Sequence, residues 1–449
     1  MKHRAKRAAL ALTSAAVLSA LVLSGCTTSD SSSGGGPITD EEREKALTTP
    51  TDLTFWTWVP DIEDEVAKFE EAYPAINVEV VNVGQGPDHY QKLRTAIEAG
   101  EGAPDVAQVE YQMIPSFRVN DSLLDLTPYG GADIASDYVP WVWGQVSTDD
   151  GVWAIPQDTG PLGNLYRDDI LKTAGVTEAP VTWDDYRAAA EKVRATGAYI
   201  SNLSPSEPAF VVGLLWQAGV KPFGYDGKET VTVDLVNDDS KKVVEYLQGL
   251  IQDDLVSVDP GWTDEWYQAI AGGKYAGWLT AAWGPIFLQG TAADTAGLWR
   301  AAELPQWNEG DAASGNWGGS SDVVLKSSKN PIAAYELAKW INNDVSSTTQ
   351  FATQQFLFPA ANNVLESDEF LSGESEFYGG QKVNALFAEV SKTVDTEFQW
   401  LPYNDYAFSQ FNETLGKAMA EKGDLVAGLQ AWQDALIAYG EDQGFTVNP

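Results

Sequence analysis

From Asp52 onward the chain switches between two hydrophobic periods, and that switching constrains its fold more than any other feature. Leu53-Thr54-Phe55-Trp56-Thr57-Trp58 reads as a strand; Ile62, Val66, Phe69 and Tyr73 then recur at helical spacing until Pro74 stops them. Ile76 to Val83 predicts a second strand, Tyr90, Leu93 and Ile97 a second helix closed by Gly100, and Pro104 to Val109 a third strand. Strand, helix, strand, helix, strand implies parallel pairing through right-handed crossovers and a sheet covered by helices. The class is α/β. The pattern resumes with a helix capped by Thr182, a strand at Tyr199 to Leu203, helices at 209–219 and 240–252, and a strand at Ala276 to Thr280. Pro331, tolerated at a first helical position, opens a helix running to Asn343. Roughly 400 residues of this pattern suit two lobes better than one.

Open α/β sheets bind ligands beyond the carboxyl ends of their strands, and in a two-lobed molecule those ends can face one cleft. The strand exits here are rich in aromatic and uncharged or acidic polar side chains. They hold Trp58 after the first strand, Glu110 and Gln112 after the third, and Asp158 and Thr159 after Val152-Trp153-Ala154-Ile155. Further along stand Glu207 and Phe210, Trp283 in Trp283-Gly284-Pro285, Trp317 and Gly318 before Val323-Val324-Leu325, and Trp400 and Tyr406. A sugar ring presents C–H groups on its faces and hydroxyls around its rim. It therefore asks for flat apolar surfaces and for edge groups that accept and donate hydrogen bonds, and these windows supply both. Aromatics spread over separate segments predict more than one sugar subsite. The strand-borne Trp56, Trp153 and Trp278 are expected in the core, whereas Trp58, Trp283, Trp317, Trp400 and Tyr406 stand in turns. Gly318-Gly319 is either a simple loop or a place of close backbone approach to a ligand.

Residues 153–165, 201–212, 278–288, 315–323 and 399–408 contain no Lys or Arg, so an anionic ligand would lack charge-assisted partners. A cation over the aromatic faces, such as a polyamine, remains open because of the acidic members of the set. The whole chain carries 28 Lys and Arg against 65 Asp and Glu, a formal charge of -37. Such a surface repels phosphate backbones and anionic headgroups, which argues against nucleic-acid binding and electrostatic membrane association.

Residues 1–25 place the basic Lys2, Arg4, Lys6 and Arg7 ahead of an apolar stretch from Ala8 to Leu23, shorter than the ~20 residues of a usual spanning helix. The stretch ends in Leu23-Ser24-Gly25-Cys26, which resembles a bacterial lipobox. That resemblance implies that Cys26, the only cysteine, becomes the first mature residue and carries thioether-linked lipid. With one cysteine no disulfide forms within a monomer. Thr27 to Gly36 is polar and has nothing to bury, so residues 26–50 are expected to act as a flexible tether.

Catalytic signatures are few. The single histidine beyond the leader, His89, is expected at the surface, and no nucleophile elbow, zinc-protease motif, phosphate loop or dinucleotide fingerprint occurs. A lone lipidated thiol excludes cysteine-based metal sites. A carboxylate pair for glycoside hydrolysis stays open, since 65 acidic residues guarantee chance pairs.

Taken in order, Phe55-Trp56-Thr57-Trp58, Ala103-Pro104-Asp105-Val106, Asp125-Leu126-Thr127-Pro128-Tyr129, Trp153-Ala154-Ile155-Pro156, Thr182-Trp183-Asp184-Asp185-Tyr186, Ala282-Trp283-Gly284-Pro285 and Pro331 to Trp340 carry a resemblance. Across roughly residues 50 to 445 the chain resembles the extracellular solute-binding family, the maltose-binding-protein-like sugar-binding lipoproteins of bacterial ABC importers. The resemblance implies a two-lobed periplasmic-binding-protein-like fold with a hinge and an interlobe cleft. It implies lobe 1 at 50–158 plus 310–363 and lobe 2 at 159–309 plus 364–449, and ligand contacts at Trp58, Glu110, Asp158, Glu207, Trp283, Trp317, Gly318 and Tyr406. Val59-Pro60 departs from the family, some members of which carry a sugar-contacting polar or charged pair there. The resemblance further implies a monomeric, exported, lipid-anchored receptor. It would close on a sugar, pass it to permease subunits, need no cofactor and have no catalytic activity of its own.

Overall fold

The computed structural model describes residues 36–449, of which Pro37–Pro449 form one compact unit. The expected leader, Cys26 and the first part of the tether lie outside the described residues. Within the described part of that span the expectation of a tether is corrected, because Asp40–Thr48 is a helix. Thr39 and Glu42 cap it reciprocally, a Thr-x-x-Glu signal that stands plainly in the sequence. Arg43 then fastens it, pairing with the buried Glu336 and donating to the Tyr129 carbonyl at 2.8 Å.

The alternating first segment folds as its periods require. Strands β1 (Thr51–Trp56), β2 (Ile76–Val81) and β3 (Val106–Glu110) pair in parallel, with β1 between β2 and β3. The helices Glu63–Ala72 and Pro87–Ala99 form the crossovers; the second ends at Gly100, whose φ of 69° is the left-handed cap that glycine accepts without strain. The first sheet is completed from far along the chain. Strand β4 (Ile155–Pro156) and strand β8 (Ser320–Val324) extend it antiparallel in the order β2-β1-β3-β8-β4. The helix Pro331–Asn343 packs on it with Ala334, Leu337, Ala338 and Ile341 buried.

A second sheet consists of β5 (Leu162–Arg167) between β6 (Gly277–Ala281) and β7 (Trp299–Glu303), all antiparallel. Around this second body lie the helices Trp183–Ala195, Pro208–Gln217, Asp238–Gln252 and Leu425–Asp442. The first of these carries the Thr182–Asp185 capping box, and Pro208–Gln217 is apolar nearly all round because it is buried on all sides. The strand expected at Tyr199 to Leu203 is corrected to an irregular segment. It holds only single bridges, Tyr199 to Tyr275 and Asn202 to Ser257, which satisfy its backbone without a ladder. No helix among the described residues is long and apolar enough to cross a membrane. A further three-stranded sheet joins Phe223–Tyr225, Thr230–Val233 and Thr446–Asn448, and the result is a mixed α/β molecule of two lobes.

Candidate functional site

The chain crosses between the sheets at points that lie against one another. Residues 157–161 lead from β4 to β5, and 304–319 return from β7 to β8. They meet at a bridge between Pro161 and Asn316, where the Gly160 N–H donates to Asn316 Oδ1 at 2.9 Å. A third stretch lies beside the first, with the Thr159 N–H donating to the Phe358 carbonyl at 2.9 Å and a bridge between Asp158 and Pro359. Gly319 explains the double glycine. Its φ is 94°, and a Cβ there would stand 2.7 Å from the Tyr111 ring and 2.8 Å from the Asp158 carbonyl oxygen. The close approach is therefore to the protein's own crossover.

Beside these crossings opens a cleft of about 740 Å³. Trp58, Gln108, Asp158 and Ser320 line one side, Tyr267, Trp283 and Phe287 the other, and Phe356 and Leu357 the rim. Trp58 is set by the exit of β1. Its N–H donates to Gln108 Oε1 at 3.0 Å, the same oxygen that accepts Thr57 Oγ1–H at 2.7 Å, and its ring meets His89 edge-on at 4.9 Å. His89 is thus corrected from surface to fully buried, and burial pushes its imidazole down to about 4, so it is neutral at physiological pH. Asp158 Oδ1 accepts the Ser320 N–H at 2.8 Å; burial, more than that hydrogen bond can offset, pushes its carboxyl up to about 7. Across the cleft Trp283 donates its indole N–H to the Trp317 carbonyl at 2.9 Å and packs edge-to-face on the Trp317 ring at 4.9 Å.

Among the described residues no Lys or Arg lines the cleft, and Asp158 is the only carboxyl that does. Chemically this is a place for a neutral ligand with apolar faces and hydroxyl edges. An anion finds no charged partner, and a polycation finds a single carboxyl, which burial pushes toward its neutral form.

The other candidate residues fall into four groups. Glu207, Phe210 and Trp317 line a separate small pocket, whose Trp317 packs on the cleft-lining Trp283, with Phe210 at 5.4 Å from the Trp317 ring; Gly318 stands beside the Trp283 indole. Glu110 accepts Tyr90 Oη–H at 2.8 Å, and Gln112 is buried beside it; burial pushes the Glu110 carboxyl up. Thr159 is wholly buried within the crossover. Trp400 and Tyr406 stand elsewhere. Trp400 is 6% exposed, packs on Trp216 and Phe398, and donates to Gln145 Oε1 at 2.9 Å, bordering a separate cavity of about 480 Å³ in which Arg118 already covers Trp153. Tyr406 stacks flat on Tyr439 at 3.8 Å. Of the tryptophans expected in the core, Trp278 is buried, while Trp56 and Trp153 are half-buried.

One aromatic escaped the sequence reading. Trp262 projects from a turn between Trp283 at 6.0 Å and Trp317 at 6.4 Å. The signal was available, since Pro260-Gly261-Trp262 puts an aromatic in a turn as Trp283-Gly284-Pro285 does.

Two α/β lobes joined by several crossings, with an aromatic cleft free of cationic groups at the joint, define a two-lobed binding protein. The chain belongs to the bacterial extracellular solute-binding protein family, which it matches over residues 57–346. It is 29% identical over 341 residues, 72% of each chain, to the arabinooligosaccharide-binding protein of Bacillus subtilis. Among solved structures it resembles the ABC transporter associated binding protein from B. animalis subsp. lactis Bl-04, in complex with β-1,6-galactobiose, with 35% identity and a TM-score of 0.77 over 90% of this chain and 100% of that one. It also resembles the galacto-N-biose-/lacto-N-biose I-binding protein from Bifidobacterium longum, in complex with lacto-N-biose, at 28% identity and a TM-score of 0.78 over 88% of this chain and 98% of that one. These relatives are binding proteins rather than enzymes, in keeping with the scarcity of catalytic signatures.

Proposed function

We propose that this chain captures a neutral oligosaccharide in the cleft between its lobes and delivers it to the permease of an ABC importer. The observation that carries the reading is the cleft itself, where Trp58 on one wall and Trp283 on the other flank Gln108, Asp158 and Ser320 with no cationic side chain between them. Its volume of about 740 Å³ suits a short oligosaccharide. The names of its relatives, which bind arabinooligosaccharide, β-1,6-galactobiose and lacto-N-biose, support the same ligand class.

Lobe 1 comprises 50–158 plus 310–363 and lobe 2 comprises 159–309 plus 364–449 in this proposal. Trp58 and Asp158 contact the ligand from the first; Trp283, Trp317, Gly318 and Phe210 contact it from the second or from the crossings. Closure is favoured only by the ligand's differential affinity for the closed form, which arises because that form alone presents both walls. Cys26 carries the lipid that holds the receptor at the outer face of the cell membrane and raises its effective concentration near the permease.

Calorimetric titration with β-1,6-galactobiose, lacto-N-biose, arabinooligosaccharides and spermidine tests the reading, with product analysis after prolonged incubation. Saturable binding of a neutral sugar without turnover is expected. Saturation by spermidine alone would reverse the ligand class, and any release of monosaccharide would make the protein a hydrolase.

A further inference from the structure

Trp262 is held in a way that its neighbours are not. Its φ of 62° is a left-handed backbone conformation that a bulky side chain keeps only when its surroundings enforce it. Two contacts from the segment 204–207 do so: the Gly261 N–H donates to Ser204 Oγ at 3.0 Å, and the Trp262 indole N–H donates to Glu207 Oε1 at 2.7 Å. The ring packs on Trp266 at 5.4 Å and Trp278 at 5.9 Å, yet Trp262 stays 38% exposed, beside Trp283 and Trp317. Glu207, half-buried, thus spends a carboxylate on one neutral donor and has no cationic partner among the described residues.

We propose that Glu207 is a positioning residue whose hydrogen bond holds Trp262 as a further specificity-determining face at the end of the cleft where Trp283 and Trp317 meet. The proposal rests on the sugar reading above. An indole already fixed in the free protein need not be ordered by the ligand, so affinity is gained without a new contact from Glu207 itself. Burial pushes the Glu207 carboxyl up to about 7, with the Trp262 hydrogen bond opposing the rise. The acceptor is therefore charged above neutral pH and uncharged below it, and the stronger, charge-assisted bond is lost as pH falls through 7. The other groups around it, Asn202, Ser204, Phe210 and Gly261, do not titrate. Beyond them Asp259 is engaged by Lys274 and Tyr275, and Asp264 and Glu265 on the following helix are exposed.

A double-mutant cycle on the full folded chain tests this, read by titration with β-1,6-galactobiose and by the indole ¹H–¹⁵N spectrum. Trp262→Ala should raise Kd about tenfold and Glu207→Ala about fivefold, while Glu207→Ala on top of Trp262→Ala should add nothing, because Glu207 acts through the ring. The indole resonance that disappears in Trp262→Phe should titrate near pH 7 in the wild type and lose that titration in Glu207→Gln. The Kd ratio of Glu207→Gln to wild type should likewise change across pH 6 to 8. Additive effects, a flat ratio or a resonance indifferent to Glu207→Gln would each overturn the proposal. A wild type that binds no sugar in the panel refutes the receptor reading and with it the specificity role; the resonance then still decides whether the indole–carboxylate contact exists.

Discussion

Replacing Trp283 by alanine separates a ligand platform from a core residue. Its indole is half-buried, donates to the Trp317 carbonyl at 2.9 Å, and touches Trp317 and Phe287 edge-on at 4.9 and 5.7 Å, leaving ring surface on the cleft. A sugar face covering about 80 Å² of it, under half of what an indole can bury, contributes about 2 kcal/mol at about 25 cal/mol per Å². The loss corresponds to a Kd raised about 30-fold. The assay is calorimetric titration of Trp283→Ala with β-1,6-galactobiose, run beside Trp400→Phe. Trp400 is buried and hydrogen-bonded to Gln145, so its replacement should lower the melting temperature while leaving Kd within about twofold. A Trp283→Ala protein that stays folded and binds with unchanged Kd would remove Trp283 from the site. Equal weakening by Trp400→Phe would show that the effect is not local to the cleft.

Gly319→Ala should cost about 3 kcal/mol in urea unfolding, since it combines a strained positive φ with collisions against Tyr111 and Asp158; a loss under about 1 kcal/mol would contradict the packed crossover. His89 takes up a proton near pH 6.5 when unfolded but only near 4 when native, so its contribution is present above 6.5 and lost as pH falls through that interval. Relative to His89→Leu, the wild type should therefore lose up to about 3 kcal/mol between pH 7 and 4, and parallel pH curves would refute the burial argument. Arg94 on the helix Pro87–Ala99 pairs at 2.7 Å with Asp405 on the helix Asn404–Glu413, which packs with the second body. Arg94→Ala should weaken sugar binding about two- to fivefold at low salt and by nothing measurable at about 0.5 M, where the exposed pair is screened. A salt-independent effect would mean that Arg94 acts through packing on Phe117 instead.

Where local chemistry decides an element, the sequence showed it. Pro331 at the first helical position and the stop at Asn343 delimit a helix found over those same residues. Thr182 with Asp185, and Gly100 after Ile97, mark ends that depend only on caps. Residues 199–203 mislead because a short apolar run looks like a strand whether or not a partner offers a ladder, and here Tyr275 and Ser257 offer single bridges. His89 misleads because which face of a helix's first turn is covered depends on Trp58, a partner 31 residues earlier. Trp58, Asp158 and Trp283 could be collected as strand exits, but nothing in a linear pattern separates them from Trp400, whose ring is taken up by Trp216 and Phe398. Trp262 could have joined the set through its turn, Pro260-Gly261-Trp262, but the hydrogen bond it donates to Glu207, in a different segment, has no mark in a linear pattern.

A crystal structure of the protein grown with β-1,6-galactobiose puts the central claim to its most direct test. The account predicts density for the sugar between Trp58 and Trp283, with a ring face on an indole and hydroxyls on Asp158 or Gln108. Sugar seated instead in the cavity beside Trp153 and Trp400, or a cleft empty at saturating concentration, would contradict it.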